Sequence, residues 1–235
     1  MSGERLRWAI FTVSIISSVD NPGAHFWRAV GRHLQQRANV ATFFEPRGNP
    51  ALHALLRRER SGGLSAFRER FPDLHYQTVD QRRGFALAEW LTRTLSTVDI
   101  ALVDRDASPE LITALSEFSR PYLQTFVVDL GWSDEPIEAV PLANFTGVLV
   151  GNDALGAAYE RLDAAARVYR FGPLPANRAE DEPTGNEIAE LKAAADQAIT
   201  TISRVSEKIR RARGTQIVAN GRSDHDDPLV PHKPD

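Results

Sequence analysis

The sequence predicts an α/β fold, a parallel sheet with helices on both faces, followed by one long C-terminal helix. Two observations support this prediction. Short apolar runs rich in β-branched residues alternate with segments of helical spacing, as they do in βαβ units. The first run, WAIFTVSII at 8–16, is apolar almost throughout, which is typical of a strand covered on both faces.

The strand and helix segments follow one another along the first 172 residues. The predicted strands are 8–16, 40–45, 75–79, 100–104, 123–129, 146–151 and 166–172. The predicted helices are 26–37, two pieces within 50–71, 85–95, one that begins after Ser108, and DALGAAYERL at 153–162. Because crossovers between parallel strands are right-handed, this order predicts a doubly wound, Rossmann-like sheet.

Local signals justify the helices. In FWRAVGRHLQQR, Phe26, Val30 and Leu34 share one stripe, whereas the arginines lie elsewhere. The flexible Ser61-Gly62-Gly63 divides the second helical region. Ser108 can cap a helix whose first position is a proline, and GNDALG resembles a further cap.

The C-terminal third has a different character. AEDEPTG at 179–185 is acidic and turn-rich and predicts a linker after a first domain of residues 1–178. The helical pattern over 186–213 has an apolar seam at heptad spacing, formed by Ile188, Leu191, Ala195, Ala198, Ile202, Val205 and Ile209. Two interpretations stay open, a helix lying across its own domain and a homodimeric coiled coil through 186–213. Residues 214–235 have no periodicity, which predicts a disordered tail.

Composition excludes several classes of protein. The 235 residues contain no cysteine, which removes disulfides, thiol nucleophiles and cysteine-ligated metals. A net charge of −3 argues against a nucleic-acid binder. No apolar run reaches the ~18 residues of a membrane span, and MSGERLRW does not resemble a signal peptide. We therefore expect a cytoplasmic protein.

The segment SVDNPGAHFWR at 18–28 follows the first strand and predicts a binding loop over 17–25. Ligands of doubly wound sheets bind beyond the carboxyl ends of strands, near the point where strand order reverses. The amides of the following helix would favour an anionic or polar group. The candidate residues in the loop are Ser17, Ser18, Asp20, Asn21, Gly23 and His25. The alternative is an ordinary turn shaped by Asp20 or Asn21.

Acidic residues end other predicted strands. Glu45 ends the second strand, Asp104 and Asp106 follow the fourth, and Asp129 follows the fifth. Such carboxylates orient sugar hydroxyls or hold magnesium, although solvated strand ends are commonly acidic as well. The arginine clusters LRRERS at 56–61 and DQRRG at 80–84 indicate solvated faces or contacts to a diphosphate or an acidic membrane surface.

Several motifs are absent. The first loop has no G-x-G-x-x-G, which argues against a nicotinamide or flavin site, although an oxidoreductase with an irregular loop stays a minor alternative. There is no phosphate-binding G-x-x-x-x-G-K-[ST] loop and no G-x-S-x-G nucleophile elbow. We expect no resident cofactor and no metal.

The opening FTVSIISSVDNPGAHFWRAVGRHLQQRANVATFFE at 11–45 resembles that of a bacterial GT-B glycosyltransferase family related to spore-maturation CgeB proteins. VDIALVD, TFVVDLGW and NFTGVLVGNDALGAAYERL extend the resemblance over roughly residues 8–172. The matching positions of the opening are Ser17, Ser18, Asn21, His25, Trp27, Arg28, Phe43, Phe44 and Glu45. The resemblance implies a single GT-B half, the N-terminal, acceptor-side one.

The resemblance also implies an activity. A sugar would pass from a nucleotide sugar, the co-substrate, to an acceptor, with Asp20 or His25 as the general base. Because the donor is held mainly by the other GT-B half, a donor-binding partner protein is implied. The implied substrate-binding residues are Ser17, Ser18, Asn21, Gly23, Arg28, Glu45, Asp104 and Asp129. The alternative is a non-catalytic Rossmann-like binding or scaffold protein that dimerises through 186–213.

Overall fold

The fold was analysed in a computed structural model of the chain. It describes residues 5–16, 22–80, 83–132, 142–163, 165–172, 174–175 and 184–220, with backbone alone for 51, 61 and 214–220. The strands are β1 (Arg7–Phe11), β2 (Val40–Pro46), β3 (His75–Val79), β4 (Ile100–Asp104), β5 (Gln124–Asp129), β6 (Gly147–Val150) and β7 (Val168–Arg170). The helices are α1 (Pro22–Gln36), α2 (Pro50–Arg70), α3 (Gly84–Thr94), α4 (Pro109–Glu117), α5 (Asp153–Leu162) and α6 (Gly185–Asn220), with a short 3₁₀ turn at Leu142–Asn144.

The seven strands form one parallel sheet in the order β3-β2-β1-β4-β5-β6-β7. This confirms the doubly wound, Rossmann-like α/β fold and the long C-terminal helix. β1 pairs with β2 on one side and with β4 on the other, so the strand order reverses between β1 and β4. The carboxyl ends of these two strands flank the switch point, where such sheets bind ligands.

Helices cover both faces of the sheet. Ala9 and Phe11 of β1 point to the same face and pack in one core with Leu91 of α3 and Leu115 of α4. On the opposite face α1 approaches β2 so closely that a Cβ on Gly31 would lie 3.2 Å from the Phe43 ring. All residues of β4, β5 and β6 are buried, as the continuous apolar runs predict.

β1 is shorter than the predicted strand 8–16. It ends at Phe11, after which the Thr12 hydroxyl donates to the carbonyl of Ser14 and the chain leaves the ladder. Ile15 and Ile16 are nevertheless fully buried. They are apolar because the loop packs inward, and an apolar run alone cannot distinguish such a loop from a strand.

α1 begins earlier than the predicted helix 26–37. Its first residue is Pro22, whose fixed φ and missing N–H suit the first helical position. Gly23 and His25 therefore lie in the first turn of α1 and not in a loop. The predicted stripe of Phe26, Val30 and Leu34 is buried.

The other helix boundaries follow from local chemistry. α2 is interrupted at Arg60, which has φ 53° and ψ −140°, next to the predicted break at 61–63. The Ser108 hydroxyl accepts a hydrogen bond from the Leu111 amide at 3.3 Å, and the Asn152 side chain accepts one from the Leu155 amide at 2.8 Å. Both predicted caps are confirmed.

The chain divides into two compact units, Met1–Thr201 and Ile202–Asp235. α6 runs from the first unit into the second and continues to Asn220, beyond the predicted end at 213. Within the first unit Leu191, Ala195 and Ala198 of the predicted seam are buried. There His33 Nδ1 of α1 lies 2.7 Å from Asp196 Oδ1 of α6. Dimerisation through 186–213 stays a prediction.

The linker and tail predictions lie mainly outside the described residues, because 176–183 and 221–235 are not among them. Within the described ranges, no helix has both the length and the apolar character that a membrane crossing requires.

Candidate binding site at the carboxyl edge of the sheet

An aromatic cavity of about 310 Å³ opens at the carboxyl edge of the sheet. Phe11 and Phe44, from the ends of the paired strands β1 and β2, stack with ring centroids 5.1 Å apart. Trp90 of α3 meets both rings edge-on, at 5.9 and 5.6 Å. All three side chains line the cavity. Its floor is therefore a rigid apolar surface of the kind on which a ligand ring can lie.

The rim of this cavity is polar and mostly acidic. Among the described residues, its acids are Asp80 after β3, Asp106 after β4 and Glu110 in the first turn of α4, and Arg83 also lines it. The neutral hydrogen-bonding side chains on the rim are those of Thr12, Asn49 and Ser108. Carboxylates in this arrangement can accept hydrogen bonds from a hydroxyl-bearing ligand, and the hydroxyls of Thr12 and Ser108 can both accept and donate them.

Ion pairs hold the acidic rim in place. Arg47 Nη1 lies 3.1 Å from Asp80 Oδ1, and both side chains are exposed. Arg83 Nε lies 3.9 Å from Glu110 Oε1 across the gap between α3 and α4. Exposed pairs of this kind are weak, typically ~0.2–1 kcal/mol, so a ligand can displace them at small cost.

A buried carboxylate supports the wall of the cavity. Glu45 Oε2 accepts hydrogen bonds from the Ile15 and Ile16 amides, both at 2.9 Å. Its Oε1 accepts one from Asn49 Nδ2 at 2.8 Å, and the same amide group donates to the carbonyl of Val13. Burial raises the pKa of Glu45, and these hydrogen bonds oppose that rise. Glu45 thus fixes the segment that carries the chain from β1 towards the predicted loop.

Arg28 braces the same segment from the other side. Its Nε donates to the carbonyl of Ile15 at 2.9 Å and its Nη2 to that of Ile16 at 3.4 Å. Burial, together with the positive charge of Arg70, lowers the pKa of Arg28 to about 10. The guanidinium is still charged at neutral pH. The predicted side-chain stripe had placed Arg28 on the polar face of α1, whereas the structure buries it.

Asp104 ends β4 in a buried position. Its Oδ2 accepts a hydrogen bond from Trp27 Nε1 at 2.9 Å, and its Oδ1 accepts one from the Asp106 amide at 3.1 Å. Burial, followed by the negative charge of Asp106, raises the pKa of Asp104 to about 7. This carboxyl can therefore hold a proton near neutral pH.

Asp129, at the end of β5, is held in a similar way. Its Oδ1 accepts from the Gly131 amide at 2.7 Å and its Oδ2 from the Tyr159 hydroxyl at 2.8 Å. Arg105 Nε lies 4.0 Å from Asp129, and Arg105 Nη1 lies 3.2 Å from Asp106 Oδ1. Arg105 therefore links the buried Asp129 to Asp106 on the cavity rim.

The predicted site residues fall into three groups. Ser17, Ser18, Asp20 and Asn21 lie outside the described residues. Gly23 and His25 lie in the first turn of α1. The remaining four, Arg28, Glu45, Asp104 and Asp129, are buried and bonded to other protein groups. None of these described residues lines the cavity, whereas Asp106, predicted together with Asp104 after the fourth strand, does; the roles of all of them as site residues stay predictions.

The cavity residues were largely missed by sequence reasoning. DQRRG at 80–84 was interpreted mainly as a solvated face, yet Asp80 and Arg83 stand on the rim. A signal was present, because residues that follow neighbouring parallel strands meet at one edge of the sheet. Phe11 ends β1 and Phe44 lies two residues before the end of β2, whereas nothing in the pattern of α3 marks Trp90 as more than an apolar helix residue.

Two further features bear on the choice of site. Among the described residues, no group of three or more His, Asp or Glu side chains is arranged to hold a metal ion. A second concavity, of about 470 Å³, lies at the opposite, amino edge of the sheet beside Arg5, Asn39 and His75. It is larger but more open, and ligands of open α/β sheets bind at the carboxyl edge. The aromatic cavity is therefore the candidate site.

No protein-family model matches the chain, and no curated protein matches it. Several solved structures resemble it in fold. One is an alpha-glucosyltransferase in complex with UDP and a 13-mer DNA containing a HMU base, with 12% identity and a TM-score of 0.42 over 72% of this chain and 42% of that one. Another is an alpha,alpha-trehalose-phosphate synthase (UDP-forming) from Burkholderia xenovorans, with 15% identity and a TM-score of 0.37 over 88% of this chain and 43% of that one.

A third structure carries a different chemistry. It is the E. coli tRNA N6-threonylcarbamoyladenosine dehydratase in complex with AMP, with 9% identity and a TM-score of 0.43 over 88% of both chains. The chain thus spans less than half the length of the first two proteins, which are GT-B glycosyltransferases. Likeness at this level concerns the fold alone. The relationship to CgeB proteins has no support from these comparisons and stays a prediction.

Proposed function

We propose that the chain is the acceptor-side half of a glycosyltransferase and that its aromatic cavity binds the acceptor. The observation that supports this is the combination of the Phe11, Phe44 and Trp90 floor with a rim of carboxylates and hydroxyls. The apolar face of a sugar ring packs against aromatic side chains, while its hydroxyls donate hydrogen bonds to carboxylates. A neutral, hydroxyl-bearing acceptor matches both parts.

The paired charges of the rim suit a neutral acceptor better than the charged donor. Among the described residues, three carboxylates line the cavity, those of Asp80, Asp106 and Glu110, and each is paired with an arginine side chain. A rim whose charges are paired in this way offers no excess of positive charge to the diphosphate of a nucleotide sugar. We therefore place the donor on another surface, supplied by a donor-binding partner protein as the sequence prediction holds.

The proposed reaction is a single transfer. Because His25 does not line the cavity, the reacting hydroxyl is one that projects out of it. Asp20 or His25 takes the proton of this hydroxyl as its oxygen forms a bond to the anomeric carbon of the donor. The bond between this carbon and the diphosphate breaks, and the nucleoside diphosphate leaves with the electron pair. His25 lies in the first turn of α1, directly after the predicted loop residues Asp20 and Asn21.

Calorimetric titration with neutral phenyl glycosides tests the binding step. We expect wild-type protein to bind them, and Trp90→Ala to weaken binding roughly tenfold, since an aromatic contact contributes ~0.5–1.5 kcal/mol beyond its area. Trp132→Ala is the matched control, because Trp132 does not line the cavity and donates to the carbonyl of Pro175 at 3.2 Å. Absence of glycoside binding, or equal loss in both variants, would contradict the proposal.

A transfer assay separates the enzyme from the binding-protein alternative. Purified chain, its donor-binding partner and an acceptor that binds in the cavity are incubated with nucleotide sugars, and released nucleoside diphosphate is measured. The proposal expects release that is lost in Asp20→Ala or His25→Ala while glycoside binding persists. Glycoside binding without any release would instead favour a non-catalytic binding protein.

A further inference from the structure

Three arginines gather around one aromatic ring on the α1 and α2 side of the sheet. The guanidinium carbons of Arg28, Arg32 and Arg70 lie 5.3, 5.1 and 5.8 Å from the centroid of Phe71. Since all three lie within 6 Å of the same point, no two can be farther apart than about twice that distance. This group, Arg28, Arg32, Arg70 and Phe71, is called the Phe71 cluster below.

The three cations differ in their surroundings. Arg28 is buried and donates to the carbonyls of Ile15 and Ile16, and the negative charge of the buried Glu45 acts on it. Arg32 and Arg70 are exposed. Within the described part of the chain neither forms an ion pair with a carboxylate, and each is held only through its contact with the Phe71 ring.

This arrangement leaves the positive charges of Arg32 and Arg70 without a carboxylate partner among the described residues, on a chain whose net charge is −3. The carboxylate of Glu45 is already hydrogen-bonded to two amides and to Asn49, so it cannot turn towards the two exposed arginines. Cation–π contacts hold the guanidiniums in position but do not neutralise them. The positive charges of Arg70 and Arg32 act on Arg28 despite the opposing charge of Glu45, and an anion bound by the two exposed arginines would offset this repulsion.

We propose that the Phe71 cluster binds the phosphate group of a small molecule. Arg32 and Arg70 supply the exposed N–H donors, whose planar forks match phosphate oxygens in pairs. The buried Arg28 adds positive charge close to the Phe71 ring while it keeps its hydrogen bonds to the carbonyls of Ile15 and Ile16. Phe71 holds the two exposed side chains in position, which reduces the rotamer entropy lost on binding. A multivalent anion is preferred over a single carboxylate because three cations act on it.

The site is independent of the aromatic cavity. The two share no described residue, since the cavity lies among the carboxyl ends of β1–β3, α3 and α4, whereas the Phe71 cluster comes from α1 and the end of α2. Loss of phosphate binding therefore leaves glycoside binding unchanged. Failure of the phosphate-site proposal can therefore be distinguished from failure of the proposed acceptor binding.

Calorimetric titration of the full chain with inorganic pyrophosphate at low ionic strength tests the site. We expect binding that weakens as salt rises towards about 0.15 M, because partly exposed charges are screened. The double variant Arg32→Gln with Arg70→Gln should lose at least about tenfold in affinity, in line with two lost charge-assisted contacts. Its melting temperature should stay near that of wild type, because both side chains are exposed.

The matched control is Arg93→Gln with Arg161→Gln, which removes the same charge from exposed positions on α3 and α5. We expect its affinity for pyrophosphate to change by no more than about twofold. Equal weakening in both double variants would show unspecific attraction and overturn the proposal. So would the absence of pyrophosphate binding by wild type, or binding only to vesicles that contain phosphatidylglycerol.

Discussion

Asp104 and Asp129 end their strands, Glu45 lies one residue before the end of β2, and each turns its carboxylate into the protein. Glu45 accepts from the amides of Ile15 and Ile16, Asp104 from Trp27, and Asp129 from Tyr159. In each case the hydrogen bonds fix a chain segment or a side chain next to the carboxyl edge of the sheet. These three buried carboxylates hold neighbouring chain segments in place. The carboxylates that line the cavity are different ones, those of Asp80, Asp106 and Glu110.

The titration of Asp104 gives a prediction at the residue scale. Its pKa rises from 3.8 to about 7 on folding, so between these values the folded chain keeps a proton that the unfolded chain has lost. The free energy of unfolding therefore falls as pH rises through this window, by up to about 1.4 kcal/mol per pH unit. Above pH 7 this contribution is fully lost. The groups that act on Asp104 are Asp106, Asp129 and Trp27.

Urea denaturation of wild type and Asp104→Asn at pH 5, 6, 7 and 8 checks this. Because the variant lacks the titrating carboxyl, its stability relative to wild type should rise from pH 5 to 7 and level off above. A constant difference across the four pH values would contradict the buried, protonated state of Asp104.

The sequence predicts where the strand-end carboxylates lie along the chain but not which way their side chains point. Their positions at the ends of strands followed from the pattern of the sequence. Their direction did not, because the groups that turn them inward are distant in the chain. Trp27 meets Asp104 across 77 residues of sequence, and Ile16 meets Glu45 across 29. Helical spacing assigns Arg28 to a polar face of α1. It is buried instead because the carbonyls of Ile15 and Ile16 accept its hydrogen bonds and the charge of Glu45 acts on it.

At the scale of elements, α2 contains one strained position. Arg60 has φ 53° and ψ −140°, a backbone conformation that favours glycine. We expect Arg60→Gly to raise the free energy of unfolding by about 1 kcal/mol, since the strain of a side chain is removed. Arg57→Gly, in the helical part of α2, is the control and should lower it by about 1 kcal/mol.

Chemical denaturation of both variants measures the difference. Destabilisation by Arg60→Gly of the same size as that by Arg57→Gly would show that position 60 is ordinary helix and would contradict the interruption of α2.

The elements whose limits are set by local signals were predicted well. The strands 75–79 and 100–104 coincide with β3 and β4, and Ser108 caps α4. The segment between β1 and α1 was predicted less well. There Pro22 starts the helix early and a buried carboxylate draws Ile15 and Ile16 inward, so tertiary contacts decide where the strand ends.

At the scale of the whole molecule, the order of the sheet places the candidate site. β1 lies between β2 and β4, so the carboxyl end of β1 flanks the switch point, as predicted from the sequence. The cavity itself could not be predicted, because it arises where rings from β1, β2 and α3 meet. Those rings are brought together by a crossover that passes from β3 over β2 and β1 to β4.

The central claim is that the carboxyl edge of the sheet binds a hydroxyl-bearing ligand. Two-dimensional NMR of the isotope-labelled chain during titration with a phenyl glycoside tests it most directly. We expect amide shifts to change at Thr12, Asn49 and Ala107, which line the aromatic cavity, and to stay constant at Asn39 and Ala41, which line the opposite concavity. Shifts confined to the amino edge, or none at either edge with saturating glycoside, would contradict the account.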